Sequence, residues 1–278
     1  MLRRPPEATC LGMKRWLPFV KSHPTVAVVR LNGMIASGNR RGALNDAGTA
    51  QTIERAFSRG KPDAVALVIN SPGGSPVQSS LIAARIRRLA KEKSVKVYAF
   101  TEDVAASGGY WLACAGDEIW IDPSSVVGSI GVISASFGLH EFIARHGVER
   151  RVHTSGRSKS MLDPFRPENP DDVERLKGWQ EEIHETFIDY VKDRRGARLG
   201  DHPDLFTGNI WIGRKAVEVG LADGIGHVVP KMKEIFGDKV RLQAYGPKRG
   251  LLSRFGMTLA DDAIAAIEER DAYARFGL

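Results

Sequence analysis

The sequence predicts an α/β fold with a mostly parallel central sheet. Near-continuous apolar runs of strand length occur at 25–31, 64–69 and 95–100, the last two leading into glycine-rich turns, and helical periodicity follows. Strand, helix, strand, helix in that order favours parallel strands joined by right-handed crossovers.

The first run, Thr25-Val26-Ala27-Val28-Val29-Arg30-Leu31, ends at the turn pair Asn32-Gly33 and reads as a buried strand. Residues 37–50 carry little apolar content and read as a loop before a helix over 49–59. The second strand stops at Asn70-Ser71-Pro72-Gly73-Gly74, after which Leu81, Ile82, Ile86 and Leu89 recur at helical spacing with arginines opposite. The third leads into Ala105-Ala106-Ser107-Gly108-Gly109-Tyr110 and a buried helix. Ile119-Trp120-Ile121 and the stretch from Val126 to Phe137 add strand-like segments. From Asp171 to Arg195 the apolar residues describe one face of a long helix started by Pro170 and Asp171. A short helix follows near Ala216, and 261–278 reads as a mixed-charge terminal helix. The expected organisation is a basic leader at 1–22, a folded domain at 23–245 and a tail with a helix at 246–278.

Composition narrows the function. With 278 residues, 42% hydrophobic and 26% charged, the chain can bury a large core and is neither disordered nor fibrous. Cys10 and Cys114 offer no disulfide framework and no metal spacing. The formal charge is +7, of which residues 1–21 contribute +4. That basic leader leaves peripheral contact with anionic lipid open, but no interleaved aromatic and basic residues point to nucleic acid. Its most apolar stretch, Trp16 to Val20, is far shorter than the roughly 20 residues of a membrane span, and Met13 reads as an alternative start. These features lead to an expectation of a cytoplasmic protein, at most peripheral to the inner membrane.

The two glycine-rich turns carry the chemistry. At the carboxyl ends of neighbouring parallel strands they face one crevice, and glycine lets a backbone N–H approach a substrate oxygen. One N–H from each turn makes an oxyanion hole, each donor being worth about 3 kcal/mol. Ser107 heads the second turn's helix, a position that suits a nucleophile and equally suits a plain N-cap. Neither turn matches G-x-x-x-x-G-K-[ST] or G-x-G-x-x-G, which argues against nucleotide binding.

Taken in order, Ile69-Asn70-Ser71-Pro72-Gly73-Gly74, Ala105 to Tyr110, Gly128-Ser129-Ile130-Gly131-Val132, Ser155-Gly156-Arg157-Ser158-Lys159-Ser160 and Pro164-Phe165 resemble the signal peptide peptidase A family of serine peptidases, family S49. The resemblance runs from about Thr25 to Val240 and implies a Clp-protease/crotonase-like fold of repeated β-β-α and βαβ units, with a Ser/Lys dyad. It matches Ser107 to the nucleophile, Lys159 to the general base, and Gly74 and Gly108 to the oxyanion-hole donors, with Gly73 a further candidate. It also implies a homo-oligomer in which Lys159 can come from an adjacent subunit. No cofactor and no metal are implied.

A lysine base must lose its charge, because an ammonium with a pKa near 10.4 accepts no proton at neutral pH. Burial or neighbouring positive groups discharge it. Ser129, Ser155 and Ser158 are candidates to orient the amine. The histidines at 140, 146, 153 and 184 read as structural, as do Asp103 and Asp163, and the His202 group with Asp201 and Asp204 reads as a loop. Cys114 reads as a small buried residue. The expected activity is hydrolysis of peptide bonds in signal-peptide remnants or unfolded polypeptides. A crotonase-like acyl-CoA enzyme and a non-catalytic peptide-binding scaffold are the competing readings.

Overall fold

The computed structural model describes residues 23–38, 43–156, 158–246 and 270–278. The expected basic leader at 1–22 and most of the tail lie outside the described residues. Strands β1 (Thr25–Asn32), β2 (Ala64–Ser71) and β3 (Lys96–Ala106) lie side by side and parallel, each nearly continuously buried because helices or loops cover both faces. Helix α1 (Asp46–Ser58) opens on Asn45, whose side chain accepts the Gly48 N–H at 2.7 Å. Helix α2 (Pro76–Lys93) opens on Ser75, with Pro76 in its first turn where no N–H is needed. Its buried face is Ser79, Ile82, Ala83, Ile86, Leu89 and Ala90, while Leu81, counted on the apolar face from sequence, is exposed.

β3 runs further than its apolar core. Residues 98–101 pair with β4 (Glu118–Ile121), and residues 104–106 pair with β5 (Val126–Gly128), so one strand serves two neighbours in succession. Its register against β2 shifts between these stretches, where Glu102 and Asp103 intervene. The extension delivers Ser107 beyond the end of β2. An antiparallel edge strand β6 (Ile210–Ile212) follows β5, β7 (Gly224–Ile225) lies parallel to β4, and β8 (Arg241–Tyr245) closes the other edge beside β1. The strand order is β6-β5-β3-β2-β1-β8.

One face of the sheet packs on α1, α2, α3 (Gly108–Ala113) and α5 (Pro170–Arg195). The opposite face, with Val28, Val68, Tyr98 and Phe100, meets Met232 of α7 (Val228–Phe236), while Tyr273 and Phe276 of the terminal segment cover Val104, Ala106 and Val126. Two short helices, α4 (His140–Arg145) and α6 (Arg214–Glu218), complete the elements. Of the expected terminal helix, residues 270–274 are helical; 261–269 lie outside the described residues.

The strand-like stretch from Val126 to Phe137 is a correction. Only Val126–Gly128 pairs, because Gly128 (φ 94°) and Ser129 (φ 50°) turn the chain out of extended geometry. Beyond them the segment leaves the sheet: Ile133 and Phe137 are 74% and 84% exposed, and α4 buries none of its residues.

Helix α3, which follows Ser107, is wholly buried and anchored to α5. Trp111 stacks on Phe187 and Tyr190 at 4.7 and 5.1 Å between ring centroids, contacts worth about 0.5–1.5 kcal/mol each beyond their burial. Arg194 donates to the Cys114 and Gly116 carbonyls, and Tyr110 Oη donates to Leu221 O at 2.8 Å. Arg195, 2% exposed, forms a bidentate pair with Asp223 at 2.7 and 3.2 Å and donates to Gly220 O. Asp223 also accepts the Ile119 N–H, so one carboxylate joins α5 to β4.

Candidate active site

The two glycine turns meet, as their places at adjacent strand ends require. A Cβ added to Gly73 would lie 2.8 Å from Gly108 N and 2.9 Å from Ser107 Cβ, and one added to Gly108 would lie 3.3 Å from Gly74 N. Gly74 is fixed as glycine twice over: its φ is 136°, and a Cβ there would stand on the carbonyl of Ile35. That carbonyl belongs to a short bridge in which Ile35 N–H donates to Gly73 O and Ser75 N–H donates to Ile35 O. Gly74→Ala is therefore expected to break this bridge and, if the Gly74 N–H has the oxyanion role expected from the sequence, to lower hydrolysis at least about 100-fold. Steady-state kinetics on the folded variant checks it; activity within threefold of the parent contradicts it.

The bonding separates the two glycines. Gly73 N–H donates to Ser71 Oγ at 3.3 Å, whereas Gly74 N–H has no acceptor among the described residues. Gly108 leads α3, where a helix leaves its first N–H groups open, and it too has no acceptor there. The geometry thus favours Gly74 and Gly108 over Gly73 as paired donors.

Ser107 sits at the strand-to-helix junction with φ 51° and ψ −121°, a conformation costing a non-glycine residue on the order of 1–3 kcal/mol. Its N–H donates to Gly128 O at 2.8 Å, which holds the turn against β5. Although Ser107 occupies the N-cap position, its side chain makes no capping bond, and the residue is half-buried. A serine kept for capping would use its Oγ; this one makes no capping bond, which leaves the hydroxyl free for a nucleophile's part.

Lys159 stands elsewhere in the single chain. It lies in the turn after Gly156, which accepts its N–H at 3.2 Å, and its side chain is exposed, with no hydrogen bond to Ser107. Ser155 and Ser158 share this exposed stretch, and Ser158 Oγ accepts from Arg175 at 3.1 Å. Of the three serines expected to orient the amine, Ser129 alone lies on the side of Ser107, next to Gly128, with its N–H on Asn209 O. The chain alone brings together Ser107, Gly74, Gly108 and Ser129, and does not bring Lys159 to them.

Several of the rival groups are occupied. His184 bonds Ile130 O at 3.0 Å, His202 packs edge-on against Trp211, and its Nδ1 accepts the Asp204 N–H. Asp103 accepts from Asn70, and Asp163 from Arg150 and the Phe165 N–H. Cys114 is wholly buried, and burial pushes its thiol up to about 12, so it presents no thiolate. Sequence reasoning passed over two buried hydroxyls beneath the turns, Ser71 and Ser79. Ser79 was findable, since positions 79, 82 and 86 share one face of α2.

A serine on a strained turn beside paired open N–H groups at the carboxyl ends of parallel strands is an arrangement that suits acyl transfer. Comparison with known proteins makes the assignment specific. The model of peptidase family S49 matches residues 89–235, just over half the chain. The chain belongs to this family of peptidases. It is 32% identical to a probable protease SohB of Haemophilus influenzae, over 74% of this chain and 58% of that protein. It is 50% identical to a Brucella melitensis protein named Na(+)/H(+) antiporter NhaA, over 96% of this chain and only 39% of that one. The chain thus spans less than two thirds of either relative. Among solved structures, a mutant of the 1510-N membrane-bound stomatin-specific protease in complex with a substrate peptide superposes with a TM-score of 0.50. That match has 14% identity, covers 88% of this chain and 98% of the other, and speaks for the fold alone. No helix among the described residues is long and apolar enough to cross a membrane.

Proposed function

We propose that the chain is a serine endopeptidase of the signal peptide peptidase A type, acting through a Ser107/Lys159 dyad and an acyl-enzyme. The observation that carries the reading is Ser107 itself: strained, uncapping and set against the open N–H groups of Gly74 and Gly108. Neutral Lys159 takes the proton from Ser107 Oγ as it attacks the scissile carbonyl, and the two N–H groups hold the oxyanion. The protonated amine then returns its proton to the leaving nitrogen, and water hydrolyses the ester to regenerate Ser107. Substrates are signal-peptide remnants or unfolded polypeptides. Residues 133–138 run exposed with no backbone acceptor for their N–H groups among the described residues, an edge that a peptide joins as an added strand.

The exposure of Lys159 sets a second requirement. A base amine must be dried, so another surface covers it, and a second copy of the chain supplies that surface. The same segment exposes Phe137, Phe142, Val148 and Phe165, a concentration of apolar side chains that α4 does nothing to bury. Phe142→Glu, at a residue 59% exposed in the single chain, is expected to fold normally, shift the protein toward monomer in sedimentation and cut hydrolysis at least about tenfold. An unchanged assembly with unchanged activity contradicts this interface.

The catalytic reading is tested by incubating the full chain with an unfolded disulfide-free protein and, separately, with a serine-reactive fluorophosphonate. Peptide products and an adduct on Ser107 Oγ are expected. Neither products nor adduct from the assembled protein overturns the reading.

A further inference from the structure

Resting on that reading of the site, we propose that Asn70 is its positioning residue: the Asn70 side chain clamps the strand that carries Ser107 to the strand that carries the Gly74 turn, across the gap that their register shift opens.

The two halves of the site hang on different strands. Gly74 follows β2 and Ser107 follows β3, so the spacing between the Gly74 N–H and Ser107 depends on how those strand ends are joined. Regular pairing runs up to Ile69 opposite Thr101 and resumes with Ser71 opposite Ala105. Between those pairs β2 offers Asn70 alone, while β3 carries Glu102, Asp103 and Val104. A strand with residues in excess bulges, and its backbone groups there lose their ladder partners. The Asn70 side chain fills the gap: Oδ1 accepts the Val104 N–H at 3.3 Å, and Nδ2 donates to Asp103 Oδ2 at 2.6 Å. The amide has one orientation that serves both, because the backbone N–H needs its oxygen and the carboxylate needs its nitrogen.

The clamp is itself anchored. Asn70 O accepts the Gly33 N–H at 2.9 Å and Tyr273 Oη at 2.8 Å, which ties the residue to the end of β1 and to the terminal segment. Val104 is wholly buried, with Tyr273 and Phe276 packed over it, and it begins the stretch Val104 to Ala106 that pairs with β5 and runs straight into Ser107. Pairing with β5 fixes that stretch to the outer part of the sheet and not to β2. Toward β2 it is held by the Ser71–Ala105 pair and by Asn70, and two points of attachment set a direction where one leaves a pivot. Without the Asn70 amide the buried Val104 N–H loses this acceptor, and the bulge relaxes to supply another. Ser107 lies three residues further along the same strand and shifts against the Gly74 N–H. A misplacement of about 1 Å between reacting groups costs on the order of 100-fold in rate. The N–H pair acts as the tetrahedral centre forms, so the loss falls on kcat and not on peptide binding.

The test compares Asn70→Ala, Asp103→Asn, Asn70→Asp and the double variant Asn70→Asp/Asp103→Asn with the parent, taking kcat per Ser107 that reacts with the fluorophosphonate so that unfolded protein does not count. Asn70→Ala is expected to lower kcat about 10- to 100-fold with KM within threefold. Asp103→Asn keeps an acceptor for the Asn70 amide and is expected to stay within threefold of the parent. Asn70→Asp sets two carboxylates against each other with no donor between them and is expected to lose at least about tenfold. The double variant restores a donor between the two side chains and keeps an acceptor for the Val104 N–H, so kcat is expected to return to within threefold of the parent. A residue that merely adds stability lowers Tm and leaves kcat per reactive site unchanged. Asn70→Ala with kcat within threefold of the parent, or a double variant no better than Asn70→Asp, overturns the positioning role. A parent whose hydrolysis survives Ser107→Ala overturns the catalytic reading instead, and the two failures are distinct.

Discussion

Ser107→Ala is expected to lower kcat/KM by at least about 10³-fold while leaving folding intact, and Lys159→Ala is expected to do the same. The two losses have different origins. On the proposed mechanism Ser107 supplies the atom that becomes the acyl ester, so alanine removes the covalent route and leaves only the N–H pair of Gly74 and Gly108 to favour the tetrahedral state. On the same proposal Lys159 supplies proton transfer, and because it is exposed in the single chain its removal costs no packing. Lys159→Arg is expected to be as inactive as alanine, because a guanidinium keeps its proton in proteins at any working pH. A purely electrostatic role for Lys159 would be rescued by arginine, so steady-state kinetics on these three variants separates a base from a mere cation.

The second large effect is on stability. Arg195→Met is expected to cost about 3–5 kcal/mol, since it leaves Asp223 inside the protein without its bidentate partner. For a chain of this size that is a fall of about 5–15 °C in Tm, read by calorimetry. Arg198 remains near Asp223 at 3.5 Å but is largely exposed and replaces little of the pair. Burial pushes the Asp223 carboxyl up, yet the Arg195 bond, the Ile119 N–H and the charges of Arg195 and Arg198 outweigh it, and its pKa is lowered. A carboxyl lowered on folding stabilises the protein above the ordinary carboxylate range near 3.9 and loses that contribution as pH falls through its lowered value. Asp223→Asn is therefore expected to flatten the acid limb of the stability curve below about pH 4. An Arg195→Met Tm within 2 °C of the parent would remove this pair from the account of how α3 is held.

Much of the fold was legible in the sequence because its signals are local. The three apolar runs, the glycine turns after β2 and β3, and the start of α5 at Pro170 are each decided within a few residues, whereas α1 begins at Asp46 behind the Asn45 cap, inside the stretch expected to be loop. What escaped depends on long-range pairing. β3 continues to Ala106 because β5 arrives to pair with it, and no pattern inside 101–106 announces that. Val132 to Phe137 has strand composition but no strand partner in this chain, and propensity without a neighbour makes no sheet. In the site, Ser107 and its glycines follow from position and chemistry. The choice of Gly74 over Gly73 needed the bond to Ser71, and Lys159, marked by resemblance to the S49 peptidases, stands on a surface that one chain leaves uncovered.

Subunit mixing tests that central claim most directly. Ser107→Ala and Lys159→Ala proteins, each inactive alone, are dissociated, mixed in equal amounts and reassembled beside parent protein treated identically. A dyad completed between copies predicts recovery to about a quarter of the parent's hydrolysis, the fraction of sites that pair an intact Ser107 with a neighbour's intact Lys159 in a random assembly. No recovery, with the parent regaining full activity and the mixed species shown to co-assemble, would contradict a base delivered by a second copy.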